Sequence, residues 1–187
     1  MDIINRFEGY VARYMGDGLL VYFGYPQACE DAAQRSVYTG LDILGALPAL
    51  NTHLHQVIPN LPVQALQVRI GIHTGLVVIE EVGEGLSREH QALGETPNLA
   101  ARLERRAQTN TVWISADTYR LVQGYVVCHD AGFQTLKGFA EPIKAYQVHR
   151  KTDSQSRLDA VAEHRLTPLV GRSTVRDKKS NTLKSNV

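Results

Sequence analysis

The sequence predicts an α+β domain, with helices packed on a sheet. Two observations carry this. Short runs rich in Val, Ile, Tyr and Phe come in pairs separated by Asp-Gly or Thr-Gly, and helical periodicity recurs between the pairs. A third observation is compositional: of 187 residues, 43% are hydrophobic and 21% charged, enough for one core and too apolar for wholesale disorder. Lys+Arg is 20 against Asp+Glu 19, a formal charge of +1, which argues against a protein that coats nucleic acid or lies on a membrane surface. There is no apolar run of about 18 residues to cross a bilayer, and the start, Met1 to Arg6, lacks the basic-then-apolar pattern of a signal peptide. Cys29 and Cys128 are far apart and form no CxxC, which excludes a disulfide scaffold and fits a reducing cytoplasm.

The elements follow in order. Tyr10 to Met15 and Leu19 to Tyr25 read as strands around Gly16-Asp17-Gly18, a hairpin signal whose two turn positions are both expected at positive φ. Pro26 is expected to end the second strand and open a helix running from about Ala28 to Leu47. There Ala33, Val37, Leu41 and Leu44 share a face, and Pro48 is expected to stop or kink the helix. Asn51 to Ala65 reads as a short helix and a loop. Leu66 to His73 and Leu76 to Val82, separated by Thr74-Gly75, predict a second hairpin, with Val68, Ile70 and Ile72 alternating against polar or small neighbours. Gly83 to His90 reads as a polar loop. Thr96 to Ala107 reads as a helix capped by Thr96 with Pro97 in its first turn. Leu99 and Leu103 face the core, and Asn98 and Arg102 share another face. Thr111 to Ser115 predicts a strand, Ala116 to Gln123 a helix, and Tyr125 to Leu136 and Ile143 to Val148 closing strands. The order is ββαββαβαββ. Beyond Lys151 the chain turns polar and irregular, a linker and flexible tail over 151–187.

Two features carry possible chemistry. Asp17, between two glycines at a hairpin tip, can hold Mg²⁺ beside a phosphate; equally, Asp-Gly is good turn chemistry in itself. Asn98 and Arg102 can reach a phosphate or ribose from a helix start; equally, they form an ordinary solvated face.

Three motifs occur in order: Tyr14-Met15-Gly16-Asp17-Gly18-Leu19-Leu20, Arg69-Ile70-Gly71-Ile72-His73-Thr74-Gly75, and Gly94-Glu95-Thr96-Pro97-Asn98-Leu99-Ala100-Ala101-Arg102-Leu103. With these motifs residues 3 to 150 resemble the class III adenylyl/guanylyl cyclase catalytic domain, in the bacterial type followed by a signal-transduction ATPase. The resemblance implies a ferredoxin-like cyclase fold over 1–150 and conversion of ATP to 3′,5′-cyclic AMP and pyrophosphate. It also implies a homodimer and a two-metal site of Mg²⁺ or Mn²⁺. Asp17 resembles the second metal-binding aspartate, Asn98 the ribose-orienting asparagine, and Arg102 the arginine that stabilises charge on the reacting phosphate. Lys137, in Leu136-Lys137-Gly138, resembles a phosphate-contacting lysine. The base-selecting positions correspond to Arg13 and Gln91. A cation at Arg13 suits the N1 acceptor of adenine, and Gln91 can accept from its amino group or turn its amide to suit guanine; together ATP is favoured over GTP.

The family's first metal-binding aspartate, in a pattern like Phe-x-Asp-x-x-Gly-x-Thr, has no counterpart before Asp17. The expectation is therefore an incomplete domain, with the first strand and most of the first helix absent and Ile3 to Phe7 resembling that helix's end. The strand in question lies in the family between the first hairpin and the Val68 strand, so two open sheet edges are expected here. Residues 166–172, Leu-Thr-Pro-Leu-Val-Gly-Arg, resemble the entry to an ATPase domain, after which the pattern stops. The chain is expected to be inactive as it stands. The alternative is a non-catalytic dimerisation or nucleotide-binding regulatory module.

Overall fold

The computed structural model describes residues 2–58, 65–82 and 89–152. The elements are α1 (Asp2–Arg6), β1 (Tyr10–Met15), β2 (Gly18–Tyr22), α2 (Ala32–Val57), β3 (Arg69–Ile72), β4 (Val78–Val82), β5 (Glu89–Leu93), α3 (Glu95–Arg106), β6 (Thr111–Ser115), α4 (Ala116–Val122), β7 (Val126–Gln134) and β8 (Ile143–Lys151). The fold is α+β, as expected. The expected tail over 151–187, with its 166–172 motif, lies outside the described residues beyond Thr152.

The central sheet has four strands in the order β3-β6-β8-β7. Only β3 and β6 run parallel. β6 explains the layering. Its Val112 and Ile114 point to one face, among Ala33 and Val37 of α2 and Val122 of α4. Trp113 points to the other, among Leu99, Leu103 and Ala107 of and after α3. A strand buried on both faces reads as a continuous apolar run, as Thr-Val-Trp-Ile-Ser does. β1–β2 and β4–β5 are separate antiparallel ribbons.

The first hairpin stands, with Met15 opposite Gly18. Its turn differs from expectation: Gly16 has φ +64° and Asp17 is not in the positive region, so one positive position suffices, as in a turn with glycine first. β2 ends at Tyr22 because Gly24, φ +79°, turns the chain away. Pro26 opens no helix; α2 begins six residues later. Pro48 does not stop α2, which continues to Val57. Leu47 is buried before it, and Thr52 Oγ1 donates to the Pro48 carbonyl at 3.0 Å. Beyond it Asn51 holds both sides of Leu66's backbone, donating Nδ2 to its carbonyl at 3.1 Å and accepting its N–H at 2.7 Å. Tertiary ties thus override the loss of one helical bond.

The second hairpin is overturned. β3 pairs with β6 and β4 pairs with β5, the latter a strand that reaches into the expected polar loop. The reason lies in β3's two buried faces. Ile70 packs towards Gly40 of α2, and Gly71 lies against the backbone of α3; a two-faced strand needs a central partner covered by helices. Helix α3 is capped at Gly94, not at Thr96.

β1–β2 and β3 are not hydrogen-bonded to one another, and β3 has one strand neighbour among the described residues, in keeping with the expected edges. At the opposite side β7 carries two register shifts, at Val127/Cys128 and Asp130/Gly132.

Candidate functional site

Four structural units carry the residues singled out by sequence. Asp17 sits exposed at the β1–β2 tip, flanked by Tyr14, Met15 and Leu19, which are 65%, 50% and 46% exposed. Arg13 lies on β1 opposite Leu20. Gln91 lies on β5 opposite Glu80, and β5 rests against β1. The two expected base-selecting positions therefore fall on two ribbons that touch.

Asn98 and Arg102 are one turn apart on α3. The helix forms because Leu99 and Leu103 bury 94% or more of their surface in the core beneath it, leaving the other face outward. It sits close to the sheet at Gly71, whose missing side chain lets the α3 backbone approach β3. Asn98 Nδ2 donates to the Gly94 carbonyl at 3.1 Å, and its side-chain oxygen has no partner among the described residues. Arg102 is half-buried and makes no hydrogen bond or ion pair with any described residue. Its neighbours differ: Arg69 pairs with Glu104 at 3.3 Å and Arg106 donates to Gln134 at 2.9 Å. Lys137 is exposed on the loop between β7 and β8, between buried Leu136 and Gly138 at φ +93°. Asp17 and Lys137 are also unpaired among the described residues. A charged group held without a partner is poised for a charged ligand.

Asp17 is one carboxylate. Among the described residues no three His, Cys, Asp or Glu side chains gather as a metal site. The residues present fit one arm of a divalent-metal site and not a complete one.

A second feature escaped the sequence reading. At the carboxyl ends of parallel β3 and β6 lies an open cleft of about 620 Å³, lined by His73, Thr74, Thr96, Asp117 and Phe139 among others. His73 Nδ1 lies 2.8 Å from Ser115 Oγ, and burial pushes the His73 pKa below its ordinary value while Asp117 partly opposes this. Thr96, expected as a cap, instead donates its hydroxyl to the Leu76 carbonyl at 2.8 Å, tying α3's first turn to the segment after β3. The available signal was Ser115 itself, a good N-cap directly before Ala116; its side chain accepts from the Thr118 N–H.

Comparison with known proteins identifies the family and the fold. The family model described as the adenylate and guanylate cyclase catalytic domain matches residues 2–150. The chain belongs to that family. Guanylate cyclase 32E of Drosophila melanogaster is 27% identical over 168 residues, 86% of this chain and 13% of the relative. The crystal structure of the guanylyl cyclase Cya2 matches with TM-score 0.74 and 28% identity over 82% of this chain and 76% of that one. That of the adenylyl cyclase CyaB from P. aeruginosa matches with TM-score 0.73 and 26% identity over 81% and 77%. The fold is thus that of class III cyclase catalytic domains. The chain spans about an eighth of the length of the curated relative named here. No described helix is long and apolar enough to cross a membrane.

Proposed function

We propose that this domain binds ATP and acts as an adenylate cyclase unit, with the metal arm, ribose contact and phosphate contacts supplied by Asp17, Asn98, Arg102 and Lys137. The observation that carries this is Arg102, a half-buried guanidinium without a partner among the described residues, on a helix fixed by the core. Its role is to meet the charge that builds on the reacting phosphate as the ribose 3′-oxygen attacks the α-phosphorus and pyrophosphate departs. Asn98's side-chain oxygen orients the ribose, and Lys137 draws the phosphates. Two divalent cations, Mg²⁺ or Mn²⁺, when bound would lower the pKa of the 3′-hydroxyl and neutralise the triphosphate. Asp17 is this chain's contribution to holding them. Arg13 and Gln91 favour adenine over guanine, although relatives of both kinds exist.

A homodimer is the working form in this reading, with the exposed Tyr14, Met15 and Leu19 around Asp17 forming the apolar contact. The unit works in the cytoplasm, where both cysteines stay free, and residues 166–172 begin an ATPase segment of a longer form. A second reading, a nucleotide-binding or dimerisation module without turnover, is favoured by one observation: the single metal carboxylate at the site.

Nucleotide affinity tests the first reading without requiring turnover. Arg102→Ala should weaken ATP binding roughly tenfold to a hundredfold, the cost of a charged hydrogen bond. Equal affinity in the variant would remove Arg102 from the site, and tighter binding of GTP than ATP would refute the adenine assignment. Cyclic AMP formation with Mg²⁺ or Mn²⁺ then separates the two readings. The 187-residue chain should form little, and a chain supplied with a family-like first strand and aspartate should form more. Robust turnover by the 187-residue chain that vanishes in Asp17→Ala would overturn the expectation of an incomplete site.

A further inference from the structure

The polar network at the carboxyl ends of β3 and β6 has no role in the proposed reaction, and it runs as one continuous chain of side-chain contacts. Thr74 Oγ1 lies 3.1 Å from Thr118 Oγ1. Thr118 Oγ1 lies 3.2 Å from Ser115 Oγ, and Ser115 Oγ lies 2.8 Å from His73 Nδ1. The chain therefore leaves β3 at His73, crosses to β6 and α4, and returns to the residue after His73. Ser115 and Thr118 are fully buried, and the His73 side chain is 10% exposed. Ser115 Oγ also accepts the Thr118 N–H at 3.2 Å, which is the N-cap of α4.

We propose that His73 is the sensing end of a proton-operated latch: as the neutral imidazole it accepts the Ser115 hydroxyl and holds segment 73–77 closed, and protonation releases that segment. Two physical effects drive the release. First, a protonated Nδ1 can only donate. Ser115 Oγ, already accepting from Thr118 N–H, would then have to turn its proton to Thr118, and Thr118 its proton to Thr74. Every hydroxyl in the chain must reverse together. Second, a positive charge enters a side chain that is only 10% exposed. The facing titratable groups are few. Asp117 of α4 lies 3.9 Å from Nδ1 and is already held by Arg120 in a closer pair. Glu95 of α3 lines the same cleft and is exposed. Burial accordingly outweighs Asp117 in setting the His73 pKa below its usual value.

The released segment is short and has consequences nearby. Leu76, 91% exposed, belongs to it, and the Leu76 carbonyl accepts the Thr96 hydroxyl. Gly75 is packed so closely that a Cβ there would lie 2.6 Å from Thr96 Oγ1 and 3.1 Å from His73 Nε2. Opening at His73 thus loosens the seat of α3's first turn. An effect on nucleotide affinity would rest on the cyclase reading; the latch itself does not.

The test uses the full chain and two readouts between pH 7.5 and 5. In an NMR titration of the imidazole, His73 should protonate below its ordinary value, near 6.5, and begin as the Nε2–H tautomer. Hydrogen exchange, corrected for its intrinsic pH dependence, should accelerate several-fold at residues 73–77 and 116–119 as His73 protonates. His73→Asn, which keeps a hydrogen-bonding group near Nδ1 and cannot titrate, should abolish that acceleration while protection at pH 7.5 stays. Should His73→Asn not fold, Thr118→Val, which keeps the N–H cap and interrupts the hydroxyl chain, should uncouple exchange at Thr74 from the His73 titration. A His73 that titrates at or above 6.5, a wild-type segment with no pH response, or an undiminished response in either variant would overturn the latch.

Discussion

Gly71→Ala should destabilise this domain far more than a one-carbon change in a strand usually does. A Cβ built at Gly71 would lie 2.2 Å from Glu104 N, 2.3 Å from the Ala100 carbonyl oxygen and 2.8 Å from Glu104 Cα. All three are backbone atoms of α3, so no side-chain rotamer can relieve the clash. The helix or the strand must move by on the order of 1 Å, and overpacking of this kind costs about 1–3 kcal/mol, with rigid backbone at the upper end. Moving α3 also lifts Leu99 and Leu103 from Trp113 and Leu136, the cluster on that face of the sheet. At about 3 kcal/mol the melting temperature should fall by about 6–12 °C for a chain of this size. The assay is thermal and urea unfolding of the variant beside Gly45→Ala. Gly45 is exposed within α2 and has nothing within 4 Å of its Cβ position. That exchange should stabilise by about 0.5–1 kcal/mol through helix propensity. Opposite signs for two Gly→Ala changes are the expected result. If Gly71→Ala melts within about a degree of the parent, α3 does not sit on β3 as described and the placement of Asn98 and Arg102 falls with it.

Leu103→Ala, at a fully buried position, should cost about 2–5 kcal/mol in urea unfolding, whereas Arg102→Ala next to it should leave stability unchanged or slightly higher, because the guanidinium has no partner to lose among the described residues; a cost above about 1 kcal/mol would show a structural role. Stability measured against pH should carry a His73 component. The folded-state pKa is depressed, so the unfolded chain binds the extra proton first. The contribution is fully present above about pH 6.5 and is lost as pH falls from there through the folded value, and His73→Asn should flatten this window alone. A separate loss should follow at lower pH, as the Asp31 and Asp130 carboxylates, whose pKa values are lowered by hydrogen bonds from Arg35 and Lys144, are protonated. Cys128, pushed to about 11 by burial, should resist a thiol reagent at pH 8, where roughly a thousandth of it is thiolate; labelling of Cys128 ahead of Cys29 would contradict its placement against the core.

Local signals made much of this fold legible. The Gly16-Asp17 turn, the Leu99/Leu103 stripe and the run Thr111 to Ser115 each speak through their own periodicity, and the site residues Asn98 and Arg102 follow from the helix they share. What was not legible is pairing. Nothing within Arg69 to Ile72 says that its partner is Thr111 to Ser115, some 40 residues on, and not the adjacent Val78 to Val82. Tertiary contacts decided that, as they carried α2 through Pro48 by way of Asn51 and Leu66. Thr96 was misread for a related reason: a threonine before a helix is a cap candidate in any sequence, but here the carbonyl of Leu76 claims its hydroxyl. That Arg102 has no partner among the described residues is a property of its surroundings and could be seen only in three dimensions.

The two ends of the main sheet differ in a way that gives it a direction. On the β7 side the register with β8 shifts twice, with the extra residue on β8 at His149 and on β7 at Ala131, and Lys144 beside Asp130 adds charge at the second; a strand approaching from that side meets an irregular and charged template. On the β3 side the register with β6 is unbroken from Arg69 to Ile72. Among the described residues, extension of this sheet by another stretch of polypeptide or by a neighbouring molecule is therefore favoured on one flank, that of the Arg69–Ile72 strand. The described part of the sheet behaves as a socket open on that side, and an incoming strand there would lie directly against the strand that seats α3.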